Sequence, residues 1–244
     1  GKYSNLSSWM PIYNKADIIV SEPKKWASVN KKTCAKFAST SNTWFQVPTT
    51  EIIPSTCSGQ WAVRLRNAAW SWHGVEPARD ARTDRQYYSS YAPDLANRSA
   101  GKLFLGSYSV DKSGFETYNE GIAFRSRPTA VSGIYTFVQD YHDTSETGLV
   151  VISLVNDEDG KEVEIGHGVG YLKPSTSFTR FNVPVVYSIR NKRATRLKLM
   201  VASSNHASYS IEEESRNIKT SDYLETAVST GAELTVDQLS LLYE

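Results

Sequence analysis

The stretch "GLVVISLVNDEDGKEVEIGHGVG", residues 148–170, decides the fold. Its first nine residues are apolar at odd and even positions alike, and the run is short, the mark of a central strand buried between two layers. "DEDG" then supplies a tight turn, and "KEVEIGHGVG" runs back, so residues 149–167 read as a β-hairpin. Asp157 and Asp159 alternate through that turn, but the other ligands of a calcium loop do not follow, and a turn explains them better.

Working outward, the same period of two recurs along most of the chain after residue 60. "WAVRLRN" sets Val63 and Leu65 against Arg64 and Arg66, which predicts a strand with one wet face. "GIYTFVQDY" sets Tyr135 and Phe137 opposite Ile134, Thr136 and Val138. "FTRFNVPVVYS" and "TRLKLMVASS" predict two further strands, and "AELTVDQLSLLYE" a last one. In that last strand the apolar parity changes between Val236 and Leu239, which predicts a bulge around Asp237. Helix signals are few: "SDYLETAVS", with Ser221 at a cap position, predicts one or two turns before Gly231. Residues 75–99 show no clean period, and so long a connection in a compact domain is more often functional than idle. With no internal repeat and no linker, residues 1–244 read as one domain, with 1–25 weakly assigned and 75–99 an insertion. The expected fold is all-β: a single jelly-roll sandwich with little helix.

Composition narrows function without naming it. Lys plus Arg number 27 against 26 for Asp plus Glu, a net charge of +1, which gives no electrostatic reason to expect nucleic acid or an anionic membrane. No apolar run is long enough to span a bilayer, and "GKYSNLSSWM" is no signal peptide. Fourteen tyrosines and six tryptophans suit surfaces that stack sugars or peptides, although strands of an all-β protein account for most of them. For Cys34 and Cys57, a disulfide and two free thiols are both open.

Taken in order, "KKWASVN", "CSGQWAVRL", "AGKLFLGSY", "FRSRPTAVSGIYTF", "EIGHG", "FNVPVVY", "MVASSN" and "GAELTVDQLSLLY" resemble the putative carbohydrate metabolism domain, a family known chiefly from glycan-foraging gut anaerobes. The resemblance covers most of residues 26–243. It implies a jelly-roll β-sandwich similar to carbohydrate-binding modules and a place in the periplasm or on the outer-membrane surface. It also implies an export segment, with or without a lipid anchor, ahead of residue 1. In the family's motif an arginine precedes the proline, here Arg127.

Several residues are candidates for chemistry. Arg125 and Arg127 run straight into Pro128, ahead of the strand that carries Tyr135. A guanidinium there either braces the turn that Pro128 fixes or donates its planar fork to sugar hydroxyls. Trp70 and Trp72 share one face if strand-like, and Tyr87 and Tyr88 lie in the insertion, so all four are candidate stacking rings, and Tyr135 is a further candidate ligand-binding residue. A hydrolase needs two converging carboxyls, one with a raised pKa, for which Asp140, Asp143, Glu162, Glu164, Glu116 and Glu120 are available. No nucleophile elbow and no H-E-x-x-H occurs, and the four histidines are scattered. In sandwiches of this sort an acidic residue on the last strand often helps hold a structural calcium, so Asp237 is a candidate ligand, with Asp17 or Glu22 beside it. The expected role is a non-catalytic, glycan-binding part of an envelope polysaccharide-utilisation system, working beside other glycan-utilisation proteins. A glycoside hydrolase or lyase in the same cleft, and a purely structural surface domain, are the alternatives.

Overall fold

The computed structural model describes residues 22–34, 48–57, 60–70, 78–79, 86–87, 98–110, 115–141, 143–157, 160–215, 217–218 and 228–243. In chain order the elements begin with β1 (Trp26–Ser28), α1 (Asn30–Thr33), β2 (Thr50–Pro54), β3 (Trp61–Trp70), β4 (Ala78–Arg79) and β5 (Gln86–Tyr87). They continue with β6 (Arg98–Ser99), β7 (Lys102–Val110), β8 (Glu116–Glu120), β9 (Ile122–Ala123), β10 (Ala130–Val138) and β11 (Gly148–Asn156). The last are β12 (Val163–Leu172), β13 (Ser175–Pro184), β14 (Val186–Tyr187), β15 (Arg196–Ala202), α2 (Ile211–Ser215) and β16 (Val228–Leu242).

The strands form an all-β sandwich. One sheet has the order β1-β7-β15-β11-β12-β14, with β8 added to β7 and β9 to β15; the other has the order β13-β10-β16-β3-β2, with β6 added to β3. Every described pairing is antiparallel. Strand alternation sends Leu103 and Leu105 of β7, Val150, Ile152 and Leu154 of β11, and Leu197, Leu199 and Val201 of β15 inward. There they meet Leu65, Val131, Tyr135, Phe137, Leu234 and Val236 from the second sheet. Burial of these side chains is the main stabilising term, on the order of 2 kcal/mol for each one fully covered.

The hairpin reading of residues 149–167 matches β11 and β12, and β11 lies inside its sheet as a strand covered on both faces should. The bulge lies where the parity change put it. Ile134 pairs with Asp237 and Ser132 with Ser240, and Gln238 absorbs the extra residue at φ 55°. Leu234 and Val236 therefore point into the core on one side of the bulge, and Leu239 and Leu241 pack on it from the other.

Two local expectations are corrected. Residues 228–230, expected to close a helix, are strand instead: Val228 to Thr230 pair with Trp70 to Ala68, and tertiary pairing outweighs a weak helical pattern. Residues 221–227 lie outside the described residues. The arginine face of β3 is not wet either. Glu51 of β2 accepts from Arg64 at 2.6 Å and Arg66 at 2.7 Å, and Arg66 is 5% exposed. No helix among the described residues is long and apolar enough to cross a membrane, which says nothing of a β-barrel.

A second, smaller core covers part of the first sheet's outer face. Phe104, Tyr108, Leu149, Met200 and Ala202 point outward and are capped by Ile211 of α2, with Ala207 and Tyr209 packed alongside. Two buried carboxylates bolt this cap down. Glu214 Oε1 accepts from Lys102 Nζ (2.8 Å), Ser99 Oγ (2.7 Å) and the Ala100 N–H (3.1 Å), while its Oε2 accepts from the Ser208 N–H (2.9 Å). Glu116 Oε1 accepts from the hydroxyls of Tyr108 and Tyr118, each at 2.8 Å; its Oε2 accepts from the Ile211 N–H (3.1 Å) and pairs with Lys32 Nζ (3.2 Å).

Both members of the Lys102–Glu214 pair are wholly buried. Glu214→Ala strands an ammonium without its counter-charge and is expected to cost about 3–5 kcal/mol in urea unfolding. The double substitution Lys102→Met with Glu214→Leu is expected to recover most of that loss. A double variant as unstable as the single one would show that charge neutralisation is not what the pair provides. Cys34 is buried and Cys57 exposed, both as free thiols, and burial pushes Cys34 up to about 12. A thiol reagent is therefore expected to modify one cysteine in the native chain and two after denaturation.

Candidate functional site

Beyond the cap, the outer face of the first sheet turns polar. The register aligns Lys198 of β15, Ser153 of β11 and His167 of β12 in one row, and Arg196, Val155 and Glu164 in the next. A shift in register between Leu154 and Val155 gives β12 one extra residue, Ile165, which drops into the core. Without that bulge Glu164 and His167 would fall on opposite faces. With it they meet, His167 Nδ1 lying 3.2 Å from Glu164 Oε2, which also accepts from Ser153 Oγ at 2.6 Å.

These rows border a groove of about 350 Å³. Val151 and Val155 line its apolar part, Ser153, Glu164 and His167 one side, and Lys198, Glu162, Glu120 and Tyr209 the other. Lys198 pairs with Glu162 and lies 3.5 Å from Glu120. Arg196 bonds Asp157 at 2.6 Å and reaches Glu162 at 3.4 Å. The hydrogen bond from Lys198 holds the Glu162 carboxyl below its ordinary range, aided by the charges of Lys198 and Arg196 against partial burial. Burial alone would lower Lys198, but its bond to Glu162 and the nearby carboxylates outweigh that and raise it. Burial, with Glu120 nearby, raises the Tyr209 phenol, so it remains a neutral hydroxyl.

Among the described residues, those singled out from sequence are dispersed. Trp70 ends β3 paired with Val228, and Tyr87 pairs with Ala78 in a two-stranded ribbon; neither side chain is among those described. Trp72 and Tyr88 lie outside the described residues, as do His73, His142 and Asp17. Arg125 is exposed in the connection before β10. Arg127 donates to the carbonyls of Lys192 (2.9 Å), Arg190 (3.2 Å) and Ile189 (3.4 Å), with its guanidinium 4.0 Å from the centre of the Tyr187 ring. Those donors clamp the 189–192 loop, so the turn reading describes Arg127 better than the ligand reading.

Tyr135 was a candidate ligand residue and is a core residue instead. It is 7% exposed, edge-on to Phe181, and its hydroxyl donates to the Lys173 carbonyl at 3.1 Å. Its strand parity turns it inward, where no solute reaches it. Asp237 accepts from Ser55 Oγ and from the Gln238 N–H, which holds the bulge. Glu22 instead accepts from Ser28 at the end of β1. Among the described residues no three His, Cys, Asp or Glu side chains gather as a metal set.

Of the six carboxyls considered for acid–base work, the groove collects Glu120, Glu162 and Glu164. Glu116 is held by the cap, and Asp143 is drawn below its ordinary value chiefly by the Ser145 hydroxyl, with His206 3.9 Å away. Ser153, His167, Lys198 and Tyr209 were not singled out as site residues. Each lies on a different element or row, and only cross-strand register brings them together. The alternation in "RLKLM" and the apolar-polar break in "EIGHG" were the available signals.

A carboxyl raised toward neutrality does exist, but outside the groove. Glu146 is wholly buried, and burial pushes it up to about 7 against hydrogen bonds from Ser204 and Asn67. The Asn67 amide donates to it at 2.7 Å, and Asn67 in turn accepts from Ser203 Oγ at 2.8 Å. Because the folded chain holds this proton more tightly than the unfolded one, its contribution is full at low pH. It falls as pH rises from the ordinary carboxylate value of 4.5 to about 7, then levels. Glu146→Gln is expected to remove that slope, matching the parent in urea unfolding at pH 4 and standing roughly 3 kcal/mol above it at pH 8.

No protein-family model matches the sequence, and no curated protein does. Among solved structures the chain is similar to a putative glycoside hydrolase from Bacteroides thetaiotaomicron, with a TM-score of 0.56 and 14% identity, over 97% of this chain and 70% of that one. A carbohydrate-binding module specific for non-crystalline cellulose is a fainter likeness, with a TM-score of 0.36 and 9% identity over 91% of this chain and 89% of that one. At such identity the first likeness speaks for the fold alone, a β-sandwich.

Proposed function

We propose that this chain is a non-catalytic glycan-binding domain whose ligand lies in the groove on the outer face of the first sheet. The observation that carries the reading is the row Lys198–Ser153–His167 with Glu164 beside it: donors and acceptors held in fixed places over an apolar strip. Sugar hydroxyls need such paired donors and acceptors, and sugar C–H faces need the strip. The sandwich shared with a putative glycoside hydrolase, and the sequence resemblance to a carbohydrate domain, support the same ligand class. On this reading the chain serves polysaccharide capture outside the cytoplasm, the setting that the resemblance implies.

Chemistry argues for binding over cleavage. A general acid needs a carboxyl that keeps its proton near neutral pH. In the groove Lys198 keeps Glu162 ionised, and the raised carboxyl, Glu146, is sealed in the interior. Charge also restricts the ligand: three glutamates and one lysine line the groove, so anionic uronate chains are disfavoured.

Affinity gels containing β-1,4-glucan, xylan, mannan or polygalacturonate test this. At least one neutral polysaccharide is expected to retard the chain, and polygalacturonate is not. Lys198→Ala and Glu164→Ala are each expected to weaken retardation roughly tenfold or more, as for loss of a hydrogen bond to a charged group. Release of reducing ends from the retarding polysaccharide would replace the binding reading with the hydrolase one.

A further inference from the structure

The glycines of β12 alternate with larger residues, Gly166, His167, Gly168, Val169, Gly170 and Tyr171, and the strand is built accordingly. On its inner side a Cβ at Gly168 would run into the Pro184 carbonyl, and one at Gly170 into the Val183 side chain. All the bulk is forced to the outer side. No register shift interrupts the pairing of β12 with β11 from Gly166 to Leu172, so His167, Val169 and Tyr171 share the face that carries the groove. Val169 is 39% and Tyr171 62% exposed, and Val186, opposite His167 on β14, is 70% exposed.

This row continues the groove. Val169 pairs with Val151, which lines the groove, and Tyr171 lies two strand repeats beyond His167. That is about 13 Å along the strand, further than one pyranose ring reaches. A surface that is polar at one end, aliphatic in the middle and aromatic at the far end suits an extended chain with alternating hydroxyl and C–H faces.

We infer that the occupant of the groove is an oligosaccharide chain of three or more sugar residues laid along β12, with Tyr171 as its distal stacking subsite. This rests on the glycan-binding reading above and adds direction and length to it. His167 and Glu164 anchor one end of the chain, Val169 supports its middle, and the Tyr171 ring takes the face of a later sugar.

The test is titration calorimetry with gluco-, xylo- and manno-oligosaccharides of two to six units, on the parent chain, Tyr171→Ala and Tyr171→Phe. The side chain is exposed, so both variants are expected to fold as the parent does. The parent is expected to gain roughly tenfold in affinity between two units and four or more. Tyr171→Ala is expected to lose that gain while keeping the disaccharide affinity, and Tyr171→Phe to retain it. Affinity independent of length in the parent, or an unchanged gain in Tyr171→Ala, overturns the inference and leaves the binding reading standing. Binding of no oligosaccharide overturns both. A Tyr171→Ala variant that changes sedimentation behaviour and not sugar affinity assigns the row to contact between copies of the chain, and likewise overturns it.

Discussion

The buried carboxylate of Glu214 decides which part of the outer face is covered. It gathers Lys102, Ser99, Ala100 and Ser208, and Lys102 in turn donates to the Ser208 carbonyl at 2.8 Å, so the 203–215 segment is tied at several points to one strand edge. An ion pair of this kind adds little net stability over an apolar substitute, because desolvating both charges offsets their attraction. What it adds is location. A greasy contact would let the cap slide along the sheet; a carboxylate with several defined donors fixes it.

From that placement the groove follows. The cap covers Phe104, Met200 and Leu149, ends at Tyr209, and leaves Lys198 and His167 uncovered, with Ser153 buried between them. Tyr209 is shared between the two regions: its ring is edge-on to Phe104 and Tyr118 within the small core, yet it also borders the groove. Glu116 secures the same cap from the other side through Ile211. Structural and groove carboxylates thus differ in their surroundings, since Glu116 and Glu214 are enclosed by donors and Glu162 and Glu164 remain half open to solvent.

Much of the fold was legible because strand alternation and turn chemistry are local. The 149–167 hairpin and the bulge near Asp237 could be read from parity, since an apolar residue on the wrong face is costly enough to be avoided. The end of the presumed helix at 228–230 was not legible, because pairing with β3, more than 150 residues earlier, outweighs local preference. The groove was legible only in part. Glu120, Glu162 and Glu164 could be named as carboxyls but not chosen from among the others, and the Lys198–Ser153–His167 row depends on a register that no short stretch encodes. Tyr135 misled because a tyrosine in an alternating strand looks alike from either face, and its exposure depends on which sheet the strand joins.

The place of β16 has a consequence for how the chain reaches this state. β16 lies in the interior of the second sheet, between β10 and β3, pairing with β3 through Val228–Val236 and with β10 through Glu233–Leu242. Until β16 is in place, β3 and β10 have no partner between them, and their apolar faces have no complete sheet to join. Completion of this half is therefore governed by contacts distant in sequence, which favours slow folding. During that interval the unpaired edges of β3 and β10 are the surfaces most open to pairing with another chain.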